Sequence, residues 1–376
     1  MRFSRGSRTP ALPDHLSRFI AGLTAGSDAP FGSPAGRLQP LEAFGTNPGA
    51  LAGHFYVPRS APATMPLVVV LHGCTQSAAA FDRGSGWSRL ADLAGFAVLF
   101  PEQSRENNPN LCFNWFVPQD IARDGGEAQS IRQMVETMLR RMPLDPARVF
   151  VTGLSAGGAM AAAMLATAPD LFAGGAVIAG LPYACAANVP QAFRAMNGER
   201  LPGAFELVER ARAAADRPAS GRYPRLSLWQ GTMDRTVVPA NAEALAAQWR
   251  GLAGLADAPD HATIDGRLAR SVWLDGEGRQ ALELCLVEGM DHGTPLKTMG
   301  PDACGVAAPF MLDVGISSTC HISRFFGILD PSVAVDLGSR PGAAEEETAF
   351  IPPGAGAMSQ PGAVIENALR KAGLLR

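Results

Sequence analysis

The chain has 376 residues, of which 47% are hydrophobic and 18% are charged, and its formal net charge is −3. Apolar content at this level supports a buried core and excludes disorder as the main state. The nearly balanced charge excludes the strongly basic surface that non-specific nucleic-acid or anionic-membrane binding requires. We therefore expect a small-molecule partner and no nucleic acid.

Residues 1–45 are polar and rich in Pro and Gly, which predicts an extension with a short amphipathic helix near residues 16–23. This segment lacks the unbroken apolar core of a standard secretion signal. Residues 46–330 predict one large domain, and residues 331–376 predict a Gly/Pro-rich tail that ends in a short helix near residues 363–374. We predict no membrane span, because glycines and Pro169 interrupt the nearly uncharged stretch at residues 151–190 and favour a buried helix followed by a buried strand.

The large domain alternates short apolar runs with segments of helical period, which predicts an α/β fold with a mainly parallel sheet and helices on both faces. Residues 67–71 are a continuous β-branched run typical of a strand buried on both sides. Apolar residues at helical spacing predict a helix over residues 126–141. In such sheets the active groups lie in loops beyond the carboxyl ends of the strands. Further strands are predicted at residues 97–100, 149–152, 175–178, 226–229 and 282–287.

The sequence Gly153-Leu-Ser-Ala-Gly157 follows the strand predicted at residues 149–152 and precedes an alanine-rich segment with strong helix propensity. A G-x-S-x-G motif between a strand and a helix is the context of a nucleophile elbow. Glycines are required there because a sharp turn crowds the neighbouring backbone. The motif predicts Ser155 as a nucleophile at a helix N-terminus, where N–H groups favour an anion.

A serine hydroxyl needs a base to take its proton and a third group to orient that base. In α/β-hydrolases the chain order is Ser, then Asp or Glu, then His, with the acid and the base each in a loop after a later strand. Asp234 follows the strand predicted at residues 226–229, and His292 follows the one at residues 282–287. We predict Asp234 as the orienting acid and His292 as the base. Asp291 is a rival acid, and His321 is a second candidate base.

The reaction also needs an oxyanion hole, in which two backbone N–H groups stabilise the developing alkoxide. Ala156 follows the predicted nucleophile, and Cys74 lies in the loop after the strand at residues 67–71. We predict that the N–H groups of these two residues form the hole. His72, in the same loop, is predicted to shape the turn without contacting the substrate. This chemistry uses no cofactor, and we predict no metal site.

The six cysteines contain no C-x-x-C pair, which disfavours a zinc ribbon or a thioredoxin-type redox motif. Many disulfide pairings are possible, and the sequence alone does not choose among them. Buried free thiols in a reducing compartment are the alternative. The cysteines are Cys74, Cys112, Cys185, Cys285, Cys304 and Cys320.

Over roughly residues 47–329, a series of short motifs in order resembles the polyhydroxybutyrate depolymerase-type esterases, to which feruloyl and acetylxylan esterases are related. The resemblance implies the α/β-hydrolase fold, the same triad and the same oxyanion donors. It also implies that Phe113, Trp115 and Phe116 line the substrate cleft, where an exposed Trp would offer a flat apolar face to an acyl chain or an aryl ring; an aromatic cluster in the core is the alternative for the same residues. The motifs are Leu71-His-Gly-Cys-Thr-Gln76, Gly86-Trp-Ser-Arg-Leu90, Pro101-Glu-Gln103, Cys112-Phe-Asn-Trp-Phe116, Gly153-Leu-Ser-Ala-Gly-Gly158, Gly180-Leu-Pro-Tyr-Ala-Cys185 and Asp313-Val-Gly-Ile-Ser-Ser318.

The same resemblance implies two disulfide bridges, one between Cys74 and Cys112 and one between Cys185 and Cys304. It implies an extracellular or periplasmic location, whereas the absence of a recognisable secretion signal leaves a cytoplasmic one open. No separate polymer-binding domain is recognisable in the sequence. Activity on insoluble polymer and the oligomeric state both stay open.

We predict a serine esterase that hydrolyses short-chain hydroxyalkanoate esters or polyester oligomers through an acyl-enzyme. A feruloyl or acetylxylan esterase would share every catalytic residue and differ only in the cleft. An amide-cleaving hydrolase of poly(aspartic acid) would need cations near the site, for which Arg83, Arg123 and Arg235 are candidates. A binding module on an inactive hydrolase scaffold is the non-enzymatic alternative.

Overall fold

The computed structural model describes residues 36–60, 62–215 and 221–337. The helices predicted near residues 16–23 and 363–374, and most of the predicted tail, lie outside these ranges. The boundaries of the extension, the large domain and the tail therefore stay predictions.

A ten-stranded sheet forms the centre of the described chain. Its six middle strands run parallel, and every strand predicted from the sequence is among them. Antiparallel strands extend the sheet at both edges. In spatial order the strands are β1 (Gln39–Pro40), β2 (Ala52–Tyr56), β4 (Ala97–Glu102), β3 (Met65–Leu71), β5 (Leu144–Leu154), β6 (Gly174–Ile178), β7 (Arg225–Gly231), β10 (Gln280–Val287), β9 (Leu268–Leu274) and β8 (His261–Asp265).

Helices pack on both faces of the sheet. Alternate residues of β3 belong to two separate apolar cores, with Val69 in one and Val70 in the other. The fold class is therefore the predicted one. The Val69 face carries α3 (Gly126–Arg141), α4 (Ala156–Thr167), α5 (Val189–Met196), α6 (Ala204–Arg212) and α7 (Ala240–Ala253), and the Val70 face carries α1 (Ala78–Ser85), α2 (Trp87–Ala94) and α8 (Ser318–Phe325).

Helix α4 explains the nearly uncharged stretch noted in the sequence, because all of its residues are buried against the sheet. With 12 residues it is about 18 Å long, well short of a bilayer core of about 30 Å. No helix in the described ranges is long and apolar enough to cross a membrane. A small parallel pair, β11 (Thr294–Leu296) and β12 (Met311–Asp313), follows β10.

Candidate active site

Ser155 occupies a sharp turn between β5 and α4. Its φ of 57° and ψ of −117° are uncommon for a residue with a side chain and store backbone strain. The N–H of Ser155 donates to the carbonyl of Ile178 at 2.9 Å, which ties the turn to β6. A Cβ on Gly153 would lie 2.3 Å from the carbonyl oxygen of Gly157, and a Cβ on Gly157 would lie 2.4 Å from that of His72. Close backbone packing therefore requires both glycines.

His292 and Asp234 form a buried pair at the ends of β10 and β7. Nδ1 of His292 lies 2.7 Å from Oδ2 of Asp234. Oδ1 of Asp234 accepts hydrogen bonds from the N–H groups of Thr236 at 2.8 Å and Val237 at 2.9 Å. Nε2 of Gln230 donates to Oδ2 at 3.0 Å. The carboxylate is held from four directions, and Nε2 of His292 is the ring nitrogen left for proton transfer.

The structure brings Ser155 and His292 to the same small pocket, which Phe310 also lines. The rival acid Asp291 is exposed, and its carboxylate accepts the backbone N–H of His292 at 2.8 Å. The second candidate base, His321, lies in α8, where its Nε2 is 3.2 Å from Oε1 of Glu283. The three residues predicted first are thus the ones that converge.

The two predicted oxyanion donors border the same space as Ser155, because Cys74 and Ala156 both line the larger cleft beside it. Ala156 is the first residue of α4, so its N–H has no acceptor within the helix. Among the described residues, no group accepts a hydrogen bond from the N–H of Cys74. A disulfide joins Cys74 to Cys112, which confirms the first implied bridge.

His72 shapes the turn before Cys74. Its Nδ1 donates to the carbonyl of Gly73, 2.8 Å away, and its Nε2 accepts the N–H of Gln103 at 3.1 Å. Burial lowers the pKa of His72, which favours this neutral form. These two bonds leave neither ring nitrogen for a substrate, as the sequence interpretation expects.

A cleft beside Ser155, lined by loop and helix residues several of which belong to the apolar core that contains Val69, encloses about 590 Å³, open solvent at its mouth included. Helix α5 supplies much of one wall, and two asparagines, Asn108 and Asn110, are its polar side chains other than Ser155. No Asp, Glu, Lys or Arg from the described ranges lines it. We call it the apolar cleft. Its apolar wall residues include Trp115, Phe116, Leu181, Val189, Phe193, Met196 and Val237.

The aromatic motif divides between the cleft and the core. Trp115 and Phe116 lie in the cleft wall, with their rings edge-to-face at a centroid distance of 5.5 Å. The expectation that Phe113 also lines the cleft is wrong. Phe113 has no exposed surface and packs on the His72 ring at 4.9 Å, so it supports the turn before Cys74 instead.

The implied bridge between Cys185 and Cys304 is also wrong, because both residues are free and buried. They belong to the two different apolar cores, on opposite faces of the sheet. Sγ of Cys304 lies 3.5 Å from the carbonyl oxygen of Gly86. Burial raises the pKa of the Cys185 thiol to about 12.

One group of possible metal ligands occurs in the described chain, where donor atoms of Glu283, Cys285 and His321 lie within 4.8 Å of one another. Ser227 donates to Oε1 of Glu283 at 2.6 Å, and Nε of Arg270 donates to Oε2 at 2.7 Å. Both carboxylate oxygens are therefore engaged already. The buried Glu283 carboxylate is thus the centre of a polar network with the partly exposed Arg270 and His321, which ties α8 to β10.

The arginines considered for a polyanionic substrate do not line the apolar cleft or the small pocket. Arg123 forms a two-bond ion pair with Asp170, at 2.8 and 3.0 Å, and also donates to the carbonyl of Thr167. Arg83 lies in the last turn of α1, and Arg235 is exposed.

A strand-turn-helix serine, a buried His–Asp pair and a sheet of this order define an α/β-hydrolase. Residues 51–269 match the family model described as esterase PHB depolymerase. The match covers more than half of the chain, and the protein belongs to that family.

Curated relatives agree with the family assignment. The chain is 44% identical to poly(3-hydroxyalkanoate) depolymerase C of Paucimonas lemoignei over 295 residues, 78% of this chain and 70% of the relative. It is 32% identical to acetylxylan esterase A of Aspergillus oryzae, over 64% of this chain and 80% of the relative. A solved acetyl xylan esterase from Aspergillus awamori shares the fold with a TM-score of 0.65 at 24% identity, covering 78% of this chain and all of that one. The protein is a carboxylic ester hydrolase.

Proposed function

We propose that the protein is a serine esterase acting through Ser155, His292 and Asp234. His292 takes the proton of Ser155 through Nε2, and the serine oxygen attacks the ester carbonyl. The N–H groups of Cys74 and Ala156 hold the resulting alkoxide, and Asp234 keeps the imidazole oriented. His292 returns the proton to the leaving alcohol, and water then releases the acid from the acyl-enzyme. The observation that carries this proposal is the buried His292–Asp234 pair, whose imidazole lines one pocket with Ser155.

The proposed substrates are short-chain hydroxyalkanoate esters and their oligomers. The cleft walls are apolar and uncharged, which suits a neutral acyl chain better than a polyanion. The name of the Paucimonas relative, a poly(3-hydroxyalkanoate) depolymerase, supports the same class. The absence of a cation from the described cleft walls argues against poly(aspartic acid). A substituted xylan stays the second candidate, because the acetylxylan esterases are relatives of the chain.

The test compares the wild-type enzyme with Ser155→Ala on oligomers of 3-hydroxybutyrate, an acetylated xylan, a feruloyl ester and poly(aspartate). The alanine variant should keep the fold and lose turnover of every substrate. The wild type should give its highest kcat/KM on the hydroxybutyrate oligomers. Retained turnover by Ser155→Ala would refute the triad, and equal rates on all four substrates would refute the substrate assignment.

A further inference from the structure

A buried carboxyl group lies beneath the wall of the apolar cleft, outside the proposed triad. Glu127 is in the first turn of α3 and has no exposed surface. Its Oε1 accepts hydrogen bonds from Nε2 of Gln103 at 2.6 Å and from Nδ2 of Asn114 at 2.8 Å, and its Oε2 accepts the backbone N–H of Asn114 at 2.8 Å. Three donors therefore converge on one carboxylate that the triad chemistry does not use.

Both donor residues belong to residues 103–116, the segment that forms one wall of the cleft. Asn114 directly precedes Trp115, and its Oδ1 accepts a hydrogen bond from Nδ2 of Asn108 at 2.9 Å. Trp115 and Asn108 both line the cleft. The Asn114 side chain thus transmits the position of Glu127 to two residues of the cleft wall.

Gln103 connects the same carboxylate to the proposed oxyanion hole. Its backbone N–H donates to Nε2 of His72 at 3.1 Å, and its Nε2 donates to the carbonyl of Cys112 at 3.1 Å. Cys112 is bridged to Cys74, whose N–H is a proposed oxyanion donor. Glu127 therefore holds the cleft wall and the oxyanion loop in one hydrogen-bonded unit.

We propose that Glu127 is a positioning residue that sets the apolar cleft against the oxyanion loop and so determines how the enzyme discriminates between acyl groups of different length. This inference rests on the proposed function. An acyl chain that reaches the cleft wall needs both the wall and the oxyanion loop in their correct relative positions, whereas an acetyl group needs only the oxyanion hole. A misplacement of about 1 Å costs up to about a hundredfold in rate.

Burial raises the pKa of Glu127 to about 8. The ionised and the neutral carboxyl group both have acceptor lone pairs for the three donors, because a neutral acid carries a single O–H, which can point away from them. Glutamine has the same shape, but its amide nitrogen would replace one of the two oxygens. In one orientation the NH2 group would face Nε2 of Gln103 and Nδ2 of Asn114, and in the other it would face the backbone N–H of Asn114. Each orientation opposes a donor to a donor and leaves it unsatisfied in a buried place. Glu127→Gln is therefore a minimal change with a defined consequence.

The experiment measures kcat and KM of Glu127→Gln on p-nitrophenyl acetate, butyrate and octanoate, with active enzyme counted by fluorophosphonate titration. Glu136→Gln is the matched control, since it lies on the same helix and pairs with Arg132 at 3.6 Å on the exposed side. We expect the kcat/KM ratio of butyrate to acetate to fall about tenfold in Glu127→Gln, because acetate loses only the effect on the oxyanion loop whereas butyrate also loses its contact with the cleft wall, and to stay at the wild-type value in the control.

Asn114→Ser provides a second variant that keeps the backbone N–H and removes only the side-chain bonds. It should change the same ratio in the same direction, and its effect should not add to that of Glu127→Gln, because both changes disrupt the same contact. A wild-type ratio in folded Glu127→Gln or in Asn114→Ser would overturn the inference. Equal losses on acetate and butyrate would also overturn it, since a general structural role predicts them. Failure of the triad itself would instead appear as turnover by Ser155→Ala.

Discussion

Reduction of the Cys74–Cys112 disulfide tests how the oxyanion loop is held. The bridge joins residues 38 apart in the sequence. Under the loop-closure model, a cross-link of this span removes denatured-state entropy worth about 4 kcal/mol at 25 °C. The four other cysteines are free in the structure, so a reductant acts on one bond within the described chain. We expect reduction to lower the free energy of unfolding by about this amount.

Reduction should also lower activity before the protein unfolds. Cys112 is anchored through Gln103, and the bridge passes that restraint to Cys74. Loss of an oxyanion donor typically costs about 10²–10³ in kcat. A partly displaced Cys74 N–H should therefore reduce kcat by about tenfold or more, with a smaller change in KM.

The assay combines urea unfolding with steady-state kinetics, each with and without a phosphine reductant. The double variant Cys74→Ser with Cys112→Ser is the control, because the reductant should leave its stability and its kcat unchanged. Equal unfolding free energies for oxidised and reduced wild-type protein would refute the stability estimate. An unchanged kcat after complete reduction, verified by thiol titration, would refute the link to the oxyanion hole.

Three further predictions address other parts of the structure. Asp234→Asn should lower kcat by about 10⁴, because an amide favours the wrong tautomer of His292, and should cost about 1–3 kcal/mol of stability, because the amide nitrogen opposes the donor Nε2 of Gln230; a fall below tenfold in steady-state kinetics of the folded variant would contradict the role. Burial alone would raise the pKa of Glu283, but its bonds to His321, Ser227 and Arg270 outweigh this and lower it to about 2. Ionised Glu283 therefore adds about 3 kcal/mol to the free energy of unfolding above pH 4.5, and this contribution declines as the pH falls toward 2. The difference in unfolding free energy between wild type and Glu283→Gln, measured with urea, should narrow from pH 6 to pH 3. A constant difference would contradict the prediction. Gly86→Ala should lower the free energy of unfolding by about 2–4 kcal/mol, because φ is 78° and a Cβ would lie 2.5 Å from Sγ of Cys304. Gly254→Ala is the control, since its φ is also positive but open space surrounds it, and it should lose only about 1 kcal/mol. Equal losses in thermal unfolding would count against the packing argument.

The central sheet and α3 are predictable from local pattern. Residues 67–71 are continuously apolar because β3 is buried on both faces, and helix α3 spans the 126–141 segment that the helical spacing indicates. The elbow is predictable because Gly153 and Gly157 are required by contacts within the motif itself. Such features depend on neighbours in sequence, and the sequence records them directly.

Features that depend on contacts between residues distant in the sequence are harder to predict from the sequence. The sequence alone does not predict the β8–β9 hairpin, because every residue of β8 is exposed and the alternation of Ala262 and Ile264 with polar residues extends over only five positions. Phe113 and Trp115 are two residues apart, yet one packs on His72 and the other lines the cleft. Glu127 carries no motif, and its importance appears only when Gln103 and Asn114 are seen to converge on it. The signal that the sequence offers is an acidic residue at helical spacing from the apolar Ile131 and Met134.

The central claim is that Ser155 is an activated nucleophile. The most direct measurement is covalent labelling of the native enzyme with a fluorophosphonate, followed by peptide mapping by mass spectrometry and a parallel assay of ester hydrolysis. We predict a single adduct on Ser155, with the loss of activity proportional to its stoichiometry, and no adduct in Ser155→Ala. Labelling of a different residue, or continued hydrolysis after Ser155 is fully modified, would contradict the account.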